Sequence, residues 1–405
     1  MSYRELATRP VLAWSAVTVA GRTPVAMAPL ALVFLVRERP GGYTLGAVLA
    51  AAYVIGEIVG APLLGLRLNA ERARPQLVAG LAVGAAAFTG LGLLPDAHPL
   101  VLGTLCVLAG IGPAAVPGGL RALLTSLVPE RSVTQAMSME SILTYGIWAA
   151  APALATGLAL GVGPAVPLLL MGGLMAVSIA GLWTLPAGWT TEPPASGASA
   201  RRALLRVWPV YVLGAAGLCL LALAELVLPA LLEQRGIALG WAGPLLAGFS
   251  VASAVGGFVY GLRNTWPGSL AAQSAALVLA VCAGIAVVAV VPWTAGIGIV
   301  LALSGLLMAP SSLSRNLALR RLLPPSALAA GYSVMYAAVG AGYAGAGALA
   351  GWLLTVVAPS TAILYGVGLT VLLVAVGAAG ERRLTARAAQ PEVAEAEEDV
   401  RKVLR

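Results

Sequence analysis

The chain has 405 residues, of which 60% are hydrophobic and only 10% are Asp, Glu, Lys or Arg, and its mean hydropathy is +0.93. A soluble domain carries about 25% charged residues, so this composition excludes a soluble enzyme, a disordered chain and a disulfide scaffold. The net charge of +8 reflects loop asymmetry, counted below, and not a nucleic-acid surface.

One helical crossing of a bilayer takes about 20 apolar residues. Twelve such spans are read in order: 11–36, 43–66, 76–94, 99–128, 132–160, 164–185, 207–232, 239–262, 269–291, 294–320, 326–356 and 360–380. The runs are long and lack the ten-residue alternation of a membrane barrel. No cleavable signal peptide is read, because the apolar stretch after Arg4 and Arg9 is too long and has no small-residue cleavage site. The one long polar linker is 186–206, with Pro186, Pro193, Pro194, Gly197, Arg201, Arg202 and Arg206. It divides the chain into 1–185 and 207–380, two bundles of six helices, followed by a charged tail at 381–405.

Of the 24 Arg and Lys residues, 20 fall in the termini, the linker and the loops on one side. Arg37, Arg39 and Arg235 fall on the other, and Arg22 lies inside the first span. The positive-inside rule therefore predicts a multi-pass protein of the cell (inner) membrane with both termini cytoplasmic.

The two halves repeat. Val59-Gly60 and Gly65-Leu66-Arg67 return as Val255-Gly256 and Gly261-Leu262-Arg263, 196 residues later. Ala151-Pro152-Ala153-Leu154-Ala155 matches Ala346-Gly347-Ala348-Leu349-Ala350, and Leu127-Val128-Pro129 matches Leu322-Leu323-Pro324, both at 195. A near-constant offset argues for a duplicated six-helix unit. Parallel repeats about an axis along the membrane normal are an architecture of transporters.

Ionisable groups inside spans are costly, and they face a cavity or a partner. Five stand out: Arg22, Glu57, Arg121, Glu140 and Glu225. The first four lie in the N-terminal half at similar depth. They predict Arg121–Glu140 and Arg22–Glu57 pairs, or one shared network. Arg22 is a candidate ligand for an anionic or polar substrate group. Glu225 has no evident partner and is a candidate proton carrier or cation-binding acid; the alternative is a hydrogen-bonded acid near the outer gate. Arg315 is a sixth, near a helix end. Tyr53 lies one turn before Glu57, Thr144 and Trp148 continue the face of Glu140, and Tyr332 and Tyr336 share a face of the eleventh span; all five are candidates for lining a cavity.

Trp14, Trp208 and Trp352 lie near span ends and read as interface anchors. Pro24, Pro29, Pro113, Pro117 and Pro310 are expected to interrupt their helices. Cys106, Cys219 and Cys282 sit in apolar runs as small hydrophobes. His98, the only histidine, reads as a surface loop residue. No metal-ligand spacing, Walker sequence or catalytic triad is present, so no metal, no cofactor and no enzymatic activity are expected. In the tail, Pro391 can open a helix with Val393, Ala396, Val400 and Leu404 on one face. Glu397/Arg401 and Glu398/Lys402 would then be i,i+4 pairs.

Three segments resemble the major facilitator superfamily, in particular actinobacterial drug and natural-product exporters. Gly65-Leu66-Arg67-Leu68-Asn69-Ala70-Glu71-Arg72-Ala73-Arg74-Pro75 resembles its G-x-x-x-D-R-x-G-R-R loop, with Asn69 at the Asp position and Arg72 at the second Gly. Cys106 through Gly112 resembles R-x-x-x-G-x-G, with Cys106 at the Arg associated with proton coupling. Gly146 through Gly157, containing Ala151-Pro152, resembles the exporters' G-P motif. The resemblance covers about 10–385. It implies an all-α integral membrane protein with two pseudo-symmetric six-helix bundles around a central cavity, and a gating role for Gly65, Asn69 and Arg74.

Together these readings point to a secondary active transporter. The leading expectation is proton-coupled export of small lipophilic organic molecules by alternating access. The alternatives are proton-linked uptake of a small nutrient (sugar, organic acid or amino acid) and a non-transporting sensor on a transporter fold. The expected partners are a small-molecule substrate, protons and the lipid bilayer, without nucleic acid, and the expected state is a monomer.

Overall fold

The structure is a computed structural model that describes residues 3–39, 42–189, 197–263 and 265–403. Its α-helices are α1 (Arg9–Val36), α2 (Gly42–Gly65), α3 (Ala73–Leu93), α4 (Pro99–Ile111), α5 (Val116–Leu127), α6 (Val133–Gly161) and α7 (Val166–Leu182), then α8 (Gly197–Arg206) in the linker. The second half holds α9 (Trp208–Gln234), α10 (Ala242–Gly261), α11 (Leu270–Val290), α12 (Thr294–Leu322), α13 (Leu328–Val356) and α14 (Pro359–Val403). No strand occurs among the described residues.

Eleven segments are long and apolar enough to cross a membrane, and α7, with 17 residues, is a shorter apolar helix. With α4 and α5 counted as one crossing, they follow the twelve expected spans. The chain is a multi-pass membrane protein. The tail continues α14 without a break, so Pro391 sits within a helix and does not open one. The expected helix face and ion pairs of 393–404 lie outside the described side chains.

A proline removes one backbone donor, and its ring presses on the preceding turn. Only the fourth span yields to this. Pro113 and Pro117 stand four residues apart, and the turn Gly112–Ala115 between α4 and α5 is a 3-10 segment. Pro24, Pro29 and Pro310 were expected to interrupt their helices too, yet α1 and α12 run through them. Neighbouring helices support such prolines in a membrane bundle.

The packing repeats as the sequence does. In the first half α1 packs on α2, α6 and α7, α2 on α4, and α3 on α4 and α7. In the second, α9 packs on α13 and α14, α10 on α12, and α11 on α12 and α14. The halves meet through α2–α13 and α6–α10, two contacts that exchange under the same offset.

Small residues set these approaches, because van der Waals contact between backbones drives helix association where burial from water is lacking. A Cβ on Gly60 would lie 2.8 Å from Ile111 Cα, and one on Gly256 would strike the Leu306 carbonyl, the same contact 195–196 residues on. Gly110 lies against the carbonyl of Tyr53, and Gly305 against that of Phe249.

Trp14 departs from expectation. It is fully buried, and its indole donates to the Leu120 carbonyl at 2.7 Å. It is a core residue of the first half and not an interface anchor. Trp208 and Trp352 are exposed. The three cysteines are buried and free. His98 caps α4, accepting from the Leu100 amide at 3.3 Å.

Candidate functional site

The halves are joined at the end of the bundle that carries most of the arginines, here termed the basic end. Gly65 at the end of α2 abuts Ser333 of α13, and Gly261 at the end of α10 abuts Ser138 of α6. These are symmetry-related contacts of the repeated glycine. Ser138 Oγ donates to the Gly257 carbonyl at 2.6 Å, and the Tyr3 hydroxyl donates to the Phe258 carbonyl at 2.9 Å. Between α5 and α6, both oxygens of Glu130 accept from Arg320 of α12 at 2.6 Å. This fork-to-fork geometry is the strongest form of such a pair.

The loop after α2 is tied to the linker. Asn69 Oδ1 accepts from the amides of Glu71 and Arg72 at 2.9 and 3.3 Å, shaping the turn that an Asp would shape. Gln76 braces it, accepting from the Asn69 amide at 2.7 Å and donating to the Arg67 carbonyl at 2.9 Å. Arg74 donates to the Leu185 carbonyl and covers the Trp183 ring. Trp189 donates its amide to Ala70 at 2.9 Å and its indole to Pro325, in the second half, at 3.0 Å. Gly65 therefore touches the opposite half directly, whereas Asn69 and Arg74 act through the linker. Sequence reasoning did not select Gln76, Trp189 or the Glu130–Arg320 pair, because each partner is distant along the chain.

Above this closure lies the ion network. Arg22 of α1 and Arg121 of α5 both donate to the same oxygen of Glu140, on α6, each at 2.6 Å. Thr144, one turn further along α6, accepts from Arg22 at 2.9 Å and donates to the Glu140 carbonyl at 2.8 Å. All three charged groups are buried. The expected Arg121–Glu140 pair is present. The expected Arg22–Glu57 pair is not: Arg22 turns to Glu140, and Glu57 accepts from the Tyr336 hydroxyl of α13 at 2.7 Å. The reason is geometric. Glu140 sits between α1 and α5 and can neutralise both cations, while Glu57 faces the opposite half along the α2–α13 contact.

Two of the expected cavity-lining tyrosines are elsewhere. Tyr53 is fully buried beside Phe88, with ring centroids 6.0 Å apart. Tyr332 is fully buried at the half-to-half contact, where Arg121 lies 5.4 Å from its ring centre. Neither lines an opening. Tyr336, Thr144 and Trp148 are partly or well exposed.

Gly340 still reaches Ile58 across the halves, but Gly345 and Gly351 further along α13, and Gly146, Gly157 and Gly161 along α6, would meet nothing within 4 Å of an added Cβ. Partly exposed along this stretch are Tyr145, Glu225 and Tyr343. Glu225 of α9 accepts from the Tyr343 hydroxyl at 3.0 Å, so it has the partner that the sequence did not reveal. Tyr343 lies seven residues after Tyr336, two helical turns on the same face, which is the signal that was available.

Arg39 and Arg235, on the far side, are held by carbonyls: Arg39 by Pro95 and Ala97, Arg235 by Val288 and Ala289 at the end of α11. Among the described residues no group of three His, Cys, Asp or Glu could hold a metal ion.

No family model matches the sequence, and no curated relative matches it. Solved structures do. A bacterial homologue of the iron transporter ferroportin, outward-facing, matches 93% of this chain and 98% of its own with a TM-score of 0.73 at 16% identity. The chain has the major facilitator fold. A second member of that superfamily, FucP in the outward conformation, covers 93% of this chain and 99% of its own, with a TM-score of 0.69 at 16% identity. The human organic anion transporter MFSD10 covers 93% and 100%, with a TM-score of 0.67 at 13% identity. These neighbours of the major facilitator fold are transporters and not enzymes.

Proposed function

We propose that the protein is a secondary active transporter that exports small, mostly apolar organic molecules in exchange for protons. The halves rock about a site near the bilayer midplane, and the closed basic end with separated far ends is one of the two states. The supporting neighbours carry differently named cargoes, so the cargo class is read from this chain's own residues. Beyond the ion network the partly exposed groups include the aromatic Tyr145, Trp148, Tyr336 and Tyr343, side chains that suit lipophilic molecules. The partial G-P motif of α6 favours export.

The observation that carries the reading is the Glu57–Tyr336 hydrogen bond. It joins the halves at the top of the closure, and it must break when the basic end opens. A carboxyl group there changes its surroundings with every cycle, which is what proton exchange requires. Glu225, bound within the second half to Tyr343, serves as the second acid, nearer the far opening. Arg22, Arg121 and Glu140 hold the first half in shape beneath the ligand. Gly65, Asn69 and Arg74 form the gate at the basic end, which lies on the cytoplasmic side by the charge bias.

The test is growth of a pump-deleted bacterial host on a panel of toxic organic compounds. Cells expressing the protein are expected to resist some of them, and Glu57→Gln and Glu225→Gln are expected to remove gradient-driven efflux while membrane expression persists. Full gradient-driven efflux by both variants overturns the proton-exchange mechanism. Protection against no compound by well-expressed protein overturns export.

A further inference from the structure

The buried cations of this protein are not treated alike. Arg22 and Arg121 share Glu140. Arg315, on α12 one turn beyond Ser311, has no acid within ion-pair distance among the described residues. It is 2% exposed, and its one hydrogen bond is to Ser311 Oγ at 3.5 Å, the outer limit of such a bond. A guanidinium has five N–H donors in a planar fork, so four stand unused. An unpaired charge at this depth is expensive, and such groups mark ligand pathways.

The surroundings indicate what it awaits. Its guanidinium lies against Gly217 of α9, where an added Cβ would come within 3.0 Å of Nη1. That glycine leaves room for the fork between α9 and α12. Tyr145 of α6 belongs to the first half yet packs against the core of the second. It is within electrostatic reach of Arg315, Glu225 and Glu140. Its hydroxyl makes no hydrogen bond among the described residues, in contrast to Tyr336 and Tyr343, whose hydroxyls are held by acids. A cation without an acid and a hydroxyl without a hydrogen bond among the described residues therefore lie near each other where α12 meets α6 and α9, between the halves.

We propose that Arg315 binds the carboxylate of an organic anion carried by this protein, with the Tyr145 hydroxyl as the second donor. The planar fork of an arginine matches a carboxylate through two parallel hydrogen bonds. The apolar and aromatic residues above it then receive the rest of the molecule, so the cargo is an amphiphile with one anionic end. This inference deepens, and rests on, the transporter reading above. The ligand joins Tyr145 of one half to Arg315 of the other, so its arrival and departure bias the angle between the halves.

The test uses the purified full-length chain in detergent. Binding is measured by calorimetry and thermal shift for benzoate, octanoate and decanoate, each against its primary amide, and for chloride alone. At least one carboxylate is expected to bind more tightly than its amide. Arg315→Gln is expected to weaken that carboxylate at least about tenfold and leave the amide unchanged. Arg315→Lys should recover part of the loss, and Tyr145→Phe should weaken the carboxylate with little effect on the amide. If Arg315→Gln does not fold, the Lys and Phe variants decide the matter. The proposal is overturned if no carboxylate outbinds its amide, if the variants bind carboxylates as the parent does, or if chloride binds Arg315 as tightly as they do. Flux of the same compounds in proteoliposomes separates the two readings. Amide flux without carboxylate preference sinks the anion site and keeps the transporter, whereas Arg315-dependent carboxylate binding without flux of any compound sinks the transporter reading.

Discussion

The two halves of this protein share a backbone plan and differ in what they do with charge. Their helices pack in the same order, and Gly60/Gly256, Gly110/Gly305 and Gly65/Gly261 make the same close approaches. Yet Arg121 and Glu140 of the first half correspond, 195 residues on, to Asn316 and Met335 of the second, and Glu57 corresponds to Ser253. The first half is knitted by a closed ion network. The second keeps Arg315 and Glu225 apart, each with a single neutral hydrogen-bond partner. Duplication conserves what sets helix distance, because a misplaced Cβ costs both halves equally. Polar groups have diverged: the charged network that ties the first half together has no counterpart in the second.

Removing Glu140 should separate the halves most sharply. Glu140→Gln leaves two buried guanidiniums without an acid, and breaking such a buried network costs about 3–5 kcal/mol. Thermal unfolding in detergent should fall steeply, whereas Met335→Leu, at the corresponding site, should cost less than about 1.5 kcal/mol. Similar melting shifts for the two would break the comparison.

The glycine approaches should behave alike in both halves. Gly60→Ala and Gly256→Ala each push a methyl group into the neighbouring backbone, and overpacking of this kind costs about 1–3 kcal/mol. Melting temperatures should drop by comparable amounts. A large drop for one and none for the other would show that the halves do not share these constraints.

The smallest effect in stability is expected at the basic end. Glu130 is exposed and Arg320 half-buried, so a double-mutant cycle with alanine should give a coupling of about 0.2–1 kcal/mol. The corresponding positions, Pro325 and Thr125, carry no ion pair, and the Pro325 carbonyl instead takes the Trp189 indole. Spin labels across the basic end should report more of the open state in Arg320→Ala than in the parent. Unchanged distances would assign closure to the glycine–serine contacts alone.

Much of the fold was legible because membrane helices advertise themselves. The lipid solvent demands about 20 apolar residues per crossing, and a bilayer leaves few other solutions for the backbone. The repeat was legible too, since glycine spacing survives divergence. The sequence over-predicts proline interruptions: Pro113 and Pro117 break a helix in the fourth span, while the prolines of α1 and α12 are carried by their neighbours. Trp14 was misread for a related reason, as its place near a span end says nothing about which face of α1 it occupies.

The ionisable residues inside spans were visible as singular, costly groups, and five of them carry the polar contacts of the bundle centre. Their partners were not visible. Arg22 and Glu57 lie at similar depth, but depth is one coordinate, and pairing needs the rotation of each helix as well. Tertiary packing turned Glu57 toward Tyr336, 279 residues away along the chain, gave Glu140 to two arginines and left Arg315 with none. The sequence by itself determined that this chain is a twofold set of six membrane helices with a few charges that must be accounted for. Only the tertiary structure decided which charges cancel and which remain, because cancellation at 2.6 Å depends on helix rotations that hydropathy does not encode.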